Sequence, residues 1–195
     1  GAYLLVAGSD KTKLSLGDDA DKTGKYTLVF TLRNTTGQTL SYDLTPYVMT
    51  ETVSSDEKTV AEQAYMLSPD VTYAVKNGGL SGNTVAVAGY SDAVITVEIT
   101  LSEADRAYLD KNFANGMYVE GFVTLTSNEG NCDLTIPYLA FYGDWTQAPM
   151  LDVTVFEEGK EAKDPSILED EKLKADVYAT IPMVGFYAGR EITYY

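Results

Sequence analysis

Alternating apolar and polar residues mark several strands along the chain. In Tyr26–Arg33 and in Ala93–Leu101, every second side chain is large and apolar. A period of two is typical of a strand with one buried face. Leu40–Leu44 alternates in the same way until Pro46, where we expect a bulge or a sheet edge. The weaker pattern of Lys13–Leu16 predicts a first strand.

A hairpin and one helix follow these strands. The alternating segments Met117–Leu125 and Leu134–Tyr142 flank the polar, glycine-containing Ser127–Asn131, which predicts a hairpin. Ser102 followed three residues later by Asp105 predicts a capping box at the start of a short crossover helix. Many short strands with one helix favour an antiparallel β-sandwich.

Two stretches lack this strand pattern. Ser54–Gly82 is a long excursion for which we expect a small extra hairpin or a helical turn. After Trp145 the composition changes, and Thr146–Pro149 has the character of a linker. The charge-rich run Glu157–Asp176 is interpreted as a solvated linker, with an acidic interaction tail as the alternative.

The composition narrows the possible functions. Among its 195 residues the chain has no histidine, which excludes Ser-His-Asp and Cys-His nucleophiles and histidine zinc sites. Cys132 is the single cysteine and cannot form an internal disulfide. The net charge of −15 disfavours nucleic acid and anionic membranes as partners. No apolar run is long enough to span a membrane. We also expect that the chain binds no cofactor.

One loop has a weak resemblance to a calcium site. Asp19, Asp21 and Thr23 offer oxygen ligands at alternate positions before a glycine. The twelfth position of such a loop requires an acidic residue, and here it is Phe30. We therefore expect no metal site but a solvated turn that leads into the next strand, with calcium binding as the alternative.

Two further patterns have simpler interpretations than a functional site. Gly89–Ala93 resembles a nucleophile elbow, but it precedes a strand and has no histidine partner, so we interpret it as a turn. The 15 tyrosines and the single tryptophan, Trp145, offer a possible aromatic platform for a sugar or a peptide. Most of these tyrosines lie in strand patterns, where packing explains them.

The region from Asn115 to Trp145 resembles a known family. It is similar to the fibronectin type III-like domain that follows the protease domain in Gram-positive cell-envelope subtilisin-like proteinases, the group of lactocepins and of the surface peptidases that cleave complement anaphylatoxin. The resemblance rests on an N-G-x-Y-x-E-G-F segment and an I-P-Y-x-x-F-x-G-D-W segment. Their motif residues are Asn115, Gly116, Glu120, Gly121, Pro137, Gly143, Asp144 and Trp145.

The resemblance implies an all-β, fibronectin type III-like sandwich over residues 1–150, with a charged linker and the start of a next domain over 151–195. It also implies a non-catalytic accessory domain of a secreted cell-surface serine protease. Such a domain spaces the adjoining protease domain from the cell wall and positions a protein substrate or a host surface protein. No catalytic residue of the family can be assigned, so we expect the chain to be a non-enzymatic piece of a longer protein.

Two alternatives stay open at this point. The first is a stand-alone adhesive or glycan-binding module on a bacterial surface, without a subtilisin-type domain upstream. The second is a hydrolase that uses only carboxylates, which requires two acids about 5–9.5 Å apart in a cleft. Within the motifs, Glu120 and Asp144 are polar among apolar residues, and we expect each to bond turn backbone if it is buried.

Overall fold

The structure, a computed structural model, describes residues 1–53 and 60–147. Residues 151–195, which hold the predicted linker and next domain, lie outside this part, and the boundary at residue 150 stays a prediction. Gly1–Trp145 forms one compact unit. Its elements, in chain order, are β1 (Ala2–Leu5), β2 (Leu14–Asp19), β3 (Lys25–Asn34), β4 (Leu40–Val53), β5 (Val60–Met66), β6 (Asp70–Lys76), β7 (Gly79–Ser81), β8 (Thr84–Val87), β9 (Asp92–Thr100), α1 (Glu103–Asn112), β10 (Met117–Ser127) and β11 (Leu134–Tyr142).

The strands form two sheets, as the predicted sandwich requires. The small sheet has the order β1-β3-β9-β6, and the large sheet has the order β2-β11-β10-β4-β8-β7, with β5 paired to β4. The described pairs are antiparallel except for β2 and β11, which are parallel. The predicted all-β fold is therefore confirmed. The prediction that the strands are antiparallel is wrong only at this edge of the large sheet. The reason is that β2 passes from this edge directly into β3 of the other sheet.

The inner faces of both sheets share one hydrophobic core. In β3, Tyr26, Leu28, Phe30 and Leu32 are buried on one face, as the alternation predicts. The partner strand β9 buries Ala93, Ile95, Val97 and Ile99 in the same way. The large sheet supplies the opposite half of the core through its buried residues, which include Tyr42, Val85, Val123, Leu125 and Ile136.

Pro46 does not interrupt its strand. It pairs with Val123 of β10 and lies within the continuous strand β4. On the other side of β4, pairing with β8 ends at Asp43 and pairing with β5 begins at Met49. Pro46 therefore sits at a local gap in the ladder, where a residue without an N–H group is tolerated.

The excursion Ser54–Gly82 contributes to both sheets. Residues 54–59 lie outside the described part, and the remainder contains β5, β6 and β7 instead of a helical turn. The strand β6 pairs with β9 and becomes an edge of the small sheet. Its Val71, Tyr73 and Val75 pack against the core although they are only half-buried. The expectation that this stretch lacks a strand pattern is therefore wrong for β6, because Val71, Tyr73 and Val75 alternate with more exposed residues as a strand with one buried face requires.

The helix begins and is capped as the sequence predicts. The Ser102 hydroxyl accepts from the Asp105 N–H, while the Asp105 carboxylate accepts from the Ser102 N–H. Asp105 is buried and also accepts from the Ser68 N–H at 3.0 Å, which ties the helix start to the connection between β5 and β6.

In the described residues, no helix has the length and apolar character needed to cross a membrane.

We expect Leu28→Ala to lower the free energy of unfolding by about 2–5 kcal/mol, because it empties a fully buried position in the shared core. Chemical denaturation measures the change. The matched control is Val29→Ala on the same strand, since Val29 is 45% exposed and should cost about 0.5 kcal/mol or less. Equal losses for the two variants would contradict the assignment of the inner face.

Candidate functional site

The two family-like segments form neighbouring strands. In the antiparallel ladder of β10 and β11, Tyr118 is opposite Phe141 and Gly121 is opposite Tyr138. The motif residues are thus brought together on neighbouring strands of the large sheet, although residues 123–135 separate the two segments along the chain. A loop between Ser127 and Leu134 makes this pairing possible.

Gly116 and Gly143 approach each other at the end of this ladder. A Cβ atom on Gly116 would lie 2.5 Å from the Tyr142 carbonyl oxygen and 2.8 Å from the Phe141 ring. A Cβ atom on Gly143 would lie 3.1 Å from the Gly116 Cα. Both glycines also have positive φ angles, +86° and +135°. A side chain at either position would separate the strand ends.

Gly121 makes room for a hydrogen bond that crosses the sheet. The Tyr138 hydroxyl on β11 donates to the Tyr47 carbonyl on β4 at 2.9 Å, so the side chain passes over β10. A Cβ atom on Gly121 would lie 1.9 Å from that carbonyl oxygen. Burial raises the pKa of the Tyr138 phenol, and the charge of Glu120 raises it further, which keeps the hydroxyl protonated as a donor.

Trp145 completes a cluster of three aromatic rings. Its ring centroid lies 5.1 Å from that of Phe141 and 5.5 Å from that of Tyr118, and Tyr118 and Phe141 are 5.4 Å apart. The backbone N–H of Trp145 donates to the Asp18 carboxylate at 2.9 Å, which fixes the chain after β11 beside β2. Trp145 is half-buried.

The outer face of the large sheet is rich in exposed apolar side chains. Tyr47 and Phe122 are opposite each other on β4 and β10, with ring centroids 5.5 Å apart. We define the outer face by Tyr47, Met66, Tyr118, Phe122 and Leu139, which are all at least 37% exposed. Sheet faces turned to water usually carry polar residues, so this face has the composition of a contact surface.

Glu120 stands in the middle of this outer face. It is exposed, opposite Leu139 on β11 and Met49 on β4. Glu120 therefore does not meet the condition for the expected bond to turn backbone, which required that its side chain be buried. Asp144 is half-buried, and its proposed bond to turn backbone stays a prediction. Pro137, the remaining motif residue of this face, is exposed opposite Phe122.

A shallow open depression of about 240 Å³ lies beside Trp145 on the outer face. The pairing of β2 with β11 shifts by one residue between Leu139 and Ala140, so the chain bulges at Leu16. Gly17 follows with a φ of +74° and no side chain to fill the space. The remaining lining residues are Ser15, Asp18, Tyr118, Phe141 and Trp145.

Asp18 and the depression could not be found from the sequence. The parallel pairing of β2 with β11 joins residues more than a hundred positions apart, and no local pattern signals it. The nearest sequence signal was Trp145 itself, which the aromatic-platform hypothesis singled out. The elbow-like Gly89–Ala93 contributes nothing here, because it is a turn that leads into β9, with Tyr90 exposed and Ala93 buried in the strand.

The calcium-like loop is closed by its own hydrogen bonds. The Asp19 carboxylate accepts from the Thr23 N–H at 2.8 Å, the Thr23 hydroxyl at 2.9 Å and the Gly24 N–H at 2.7 Å. Asp21 is exposed. Among the residues that the structure describes, no group of three or more His, Cys, Asp or Glu could hold a metal ion. These contacts give the loop a structural role, and the alternative of calcium binding stays a hypothesis.

Comparison with known proteins identifies the family. Residues 14–139 match the Fn3-like domain family. The chain belongs to that family. It is 28% identical over 151 residues to the PI-type proteinase of Lactococcus lactis subsp. cremoris, and equally to the PIII-type proteinase of strain SK11. The match covers 76% of this chain but only 7% of each proteinase, so the Fn3-like domain is a small part of those relatives.

Among solved structures, the domain is similar to part of a family 123 glycoside hydrolase from Clostridium perfringens. The two are 9% identical with a TM-score of 0.43, over 74% of this chain and 27% of the other. The E. coli chaperone DraB gives a TM-score of 0.33 at 11% identity, over 72% of this chain and 53% of the other. Similarity at this level does not transfer a function.

We expect Gly121→Ala to destabilise the domain by about 1–3 kcal/mol or more, because the new methyl group meets the Tyr47 carbonyl and breaks the Tyr138 hydrogen bond. Thermal and chemical denaturation measure the loss. The control is Gly79→Ala, where a Cβ would have an ordinary 3.5 Å contact. Similar stability of both variants would show that β10 does not need a glycine.

We expect Asp19→Ala to cost about 1–3 kcal/mol, because three loop donors lose their acceptor. Asp21→Ala, in the same turn but exposed, should change stability by about 0.5 kcal/mol or less. Repeating the melts with millimolar calcium tests the metal hypothesis. A rise in melting temperature that both substitutions abolish would establish a calcium site.

Proposed function

We propose that this Fn3-like domain is a non-catalytic accessory domain of a secreted, cell-surface subtilisin-like serine protease. The relationship to lactococcal proteinases over 76% of the chain is the observation that carries the proposal. The absence of histidine from the sequence agrees with it, because subtilisin-type catalysis needs an imidazole. The adjoining protease domain would carry out catalysis. This domain would act as a spacer and offer a contact surface for the substrate.

The spacer role is supported by the way the domain is built. Its two sheets share a continuous core of fully buried side chains, and a connecting helix is capped at its start. A closely packed core resists deformation. Such a body can hold a catalytic domain at a set distance from the cell wall.

The substrate-engaging role is supported by the outer face. Tyr47, Phe122 and Leu139 are exposed together on adjacent strands of the large sheet. Clustered exposed aromatic residues are typical of protein contact surfaces. A protein substrate that reaches across this face would gain contacts that a short peptide at the active site does not make.

The first experiment is to examine the longer protein that carries this chain for a subtilisin-type catalytic domain upstream. The second compares Phe122→Ser with wild type in that protein, using an intact protein substrate and a short peptide substrate. We expect kcat/KM to fall about three- to tenfold for the protein substrate and to stay unchanged for the peptide, because only the protein reaches the outer face.

Val29→Ser is the matched control, since Val29 is equally accessible but belongs to the small sheet. It should leave both substrates unaffected. Unchanged turnover of the protein substrate by Phe122→Ser would refute substrate engagement through this face. An upstream sequence without a catalytic domain would refute the accessory role and favour a stand-alone adhesive or glycan-binding module.

A further inference from the structure

We propose that the depression beside Trp145 binds the side chain of a lysine or arginine in an extended segment of a protein partner. This inference rests on the substrate-engaging part of the proposed function and deepens it, because it names the chemistry of the segment. The observation that carries it is the position of two exposed carboxylates around a cluster of aromatic rings.

The charges around the depression have one sign. Asp18 lines it, and Glu120 lies next to the lining on β10, opposite the lining residue Leu139 and two residues from Tyr118. Both carboxylates are exposed. The residues that line the depression include no lysine or arginine. With a net charge of −15 over the chain, the field at this face favours the approach of a cation.

The aromatic rings provide the second part of a cation site. Tyr118 and Trp145 have ring centroids 5.5 Å apart, with Phe141 edge-on to both. A lysine or arginine head group within about 6 Å of such a ring is attracted by its negative face. Carboxylates beside the rings add a direct ionic partner that a purely apolar surface lacks.

The dimensions suit one long basic side chain. Tyr118, Phe141 and Asp18 lie on three successive strands, so the depression spans about 10 Å at ordinary strand spacing. Its volume of about 240 Å³ is below the range of about 300–1,000 Å³ that is common for small-molecule sites. The aliphatic stem of the basic residue would cover Leu139, which is 39% exposed.

The surface beyond the depression indicates what flanks the basic residue. Phe122 lies four residues beyond Tyr118 on β10 and packs beside Tyr47. Along a strand, this separation is about 13 Å. An extended segment that crosses the outer face would therefore place an apolar residue near Phe122 when its basic residue sits at Trp145. A neutral glycan also stacks on aromatic rings, but its affinity does not depend on a positive charge.

The test uses the 195-residue chain and the fluorescence of Trp145, its single tryptophan. The probe is a short peptide with a central arginine flanked by leucines, and its matched control replaces arginine with the neutral isostere citrulline. We expect saturable binding of the arginine peptide, at least about tenfold tighter than the citrulline peptide and weaker at high salt.

Glu120→Gln should weaken the arginine peptide about fivefold and leave the citrulline peptide unchanged, because it removes charge without changing shape. Glu98→Gln, an exposed carboxylate on β9 of the small sheet, should change neither. Equal affinity for the two peptides, no saturable binding, or quenching by a neutral cell-wall glycan that Glu120→Gln leaves unaffected would overturn the proposal. These outcomes are read on the isolated chain, so they are distinct from a failure of substrate engagement in the longer protein.

Discussion

The shared core between the two sheets is the constraint on which the rest of the domain depends. Each sheet buries one face, and neither face would be stable in water alone. Leu28 and Ile95 of the small sheet belong to the same buried cluster as Val123 and Ile136 of the large sheet. Because the inner face is occupied by this contact, every other side chain of a strand must point outward. The outer face of the large sheet is therefore available for function without cost to the core.

The motif glycines allow close backbone contacts in the large sheet that a side chain would prevent. Gly116 and Gly143 allow two strand ends to touch, and Gly121 lets Tyr138 reach across a strand to the Tyr47 carbonyl. These contacts stabilise the end of the sheet that carries Trp145 and Asp18. The sequence features that suggested a family are thus mainly structural, and the surface that could bind a partner is built upon them. The contacts that stabilise the sheet and the surface that we propose for binding therefore lie close together.

The strong alternation of the central strands was sufficient to predict them. Tyr26–Arg33 and Ala93–Leu101 turn one face to the shared core along their length, so every second residue had to be apolar. The capping box at Ser102 and Asp105 was equally clear, because both groups lie within one turn of chain. The edge strands β1 and β6 and the short β8 escaped prediction. Strands β1 and β8 have only four residues each, which is too short for a clear alternation, and β6 alternates but follows a long, poorly patterned stretch of chain. Pro46 was misjudged for a different reason: its tolerance depends on a gap between two partners of β4.

The sequence by itself determined the fold class, the family resemblance and the absence of histidine-based catalysis, because periodicity, local motifs and composition need no knowledge of contacts. It also singled out Trp145 and Glu120, but it could not say which of them would be exposed. Only the tertiary structure placed Asp18 beside Trp145 and left Glu120 on an open aromatic surface. Asp18 reaches Trp145 through the pairing of β2 with β11. This is a long-range contact, and no local sequence pattern in either strand indicates its partner.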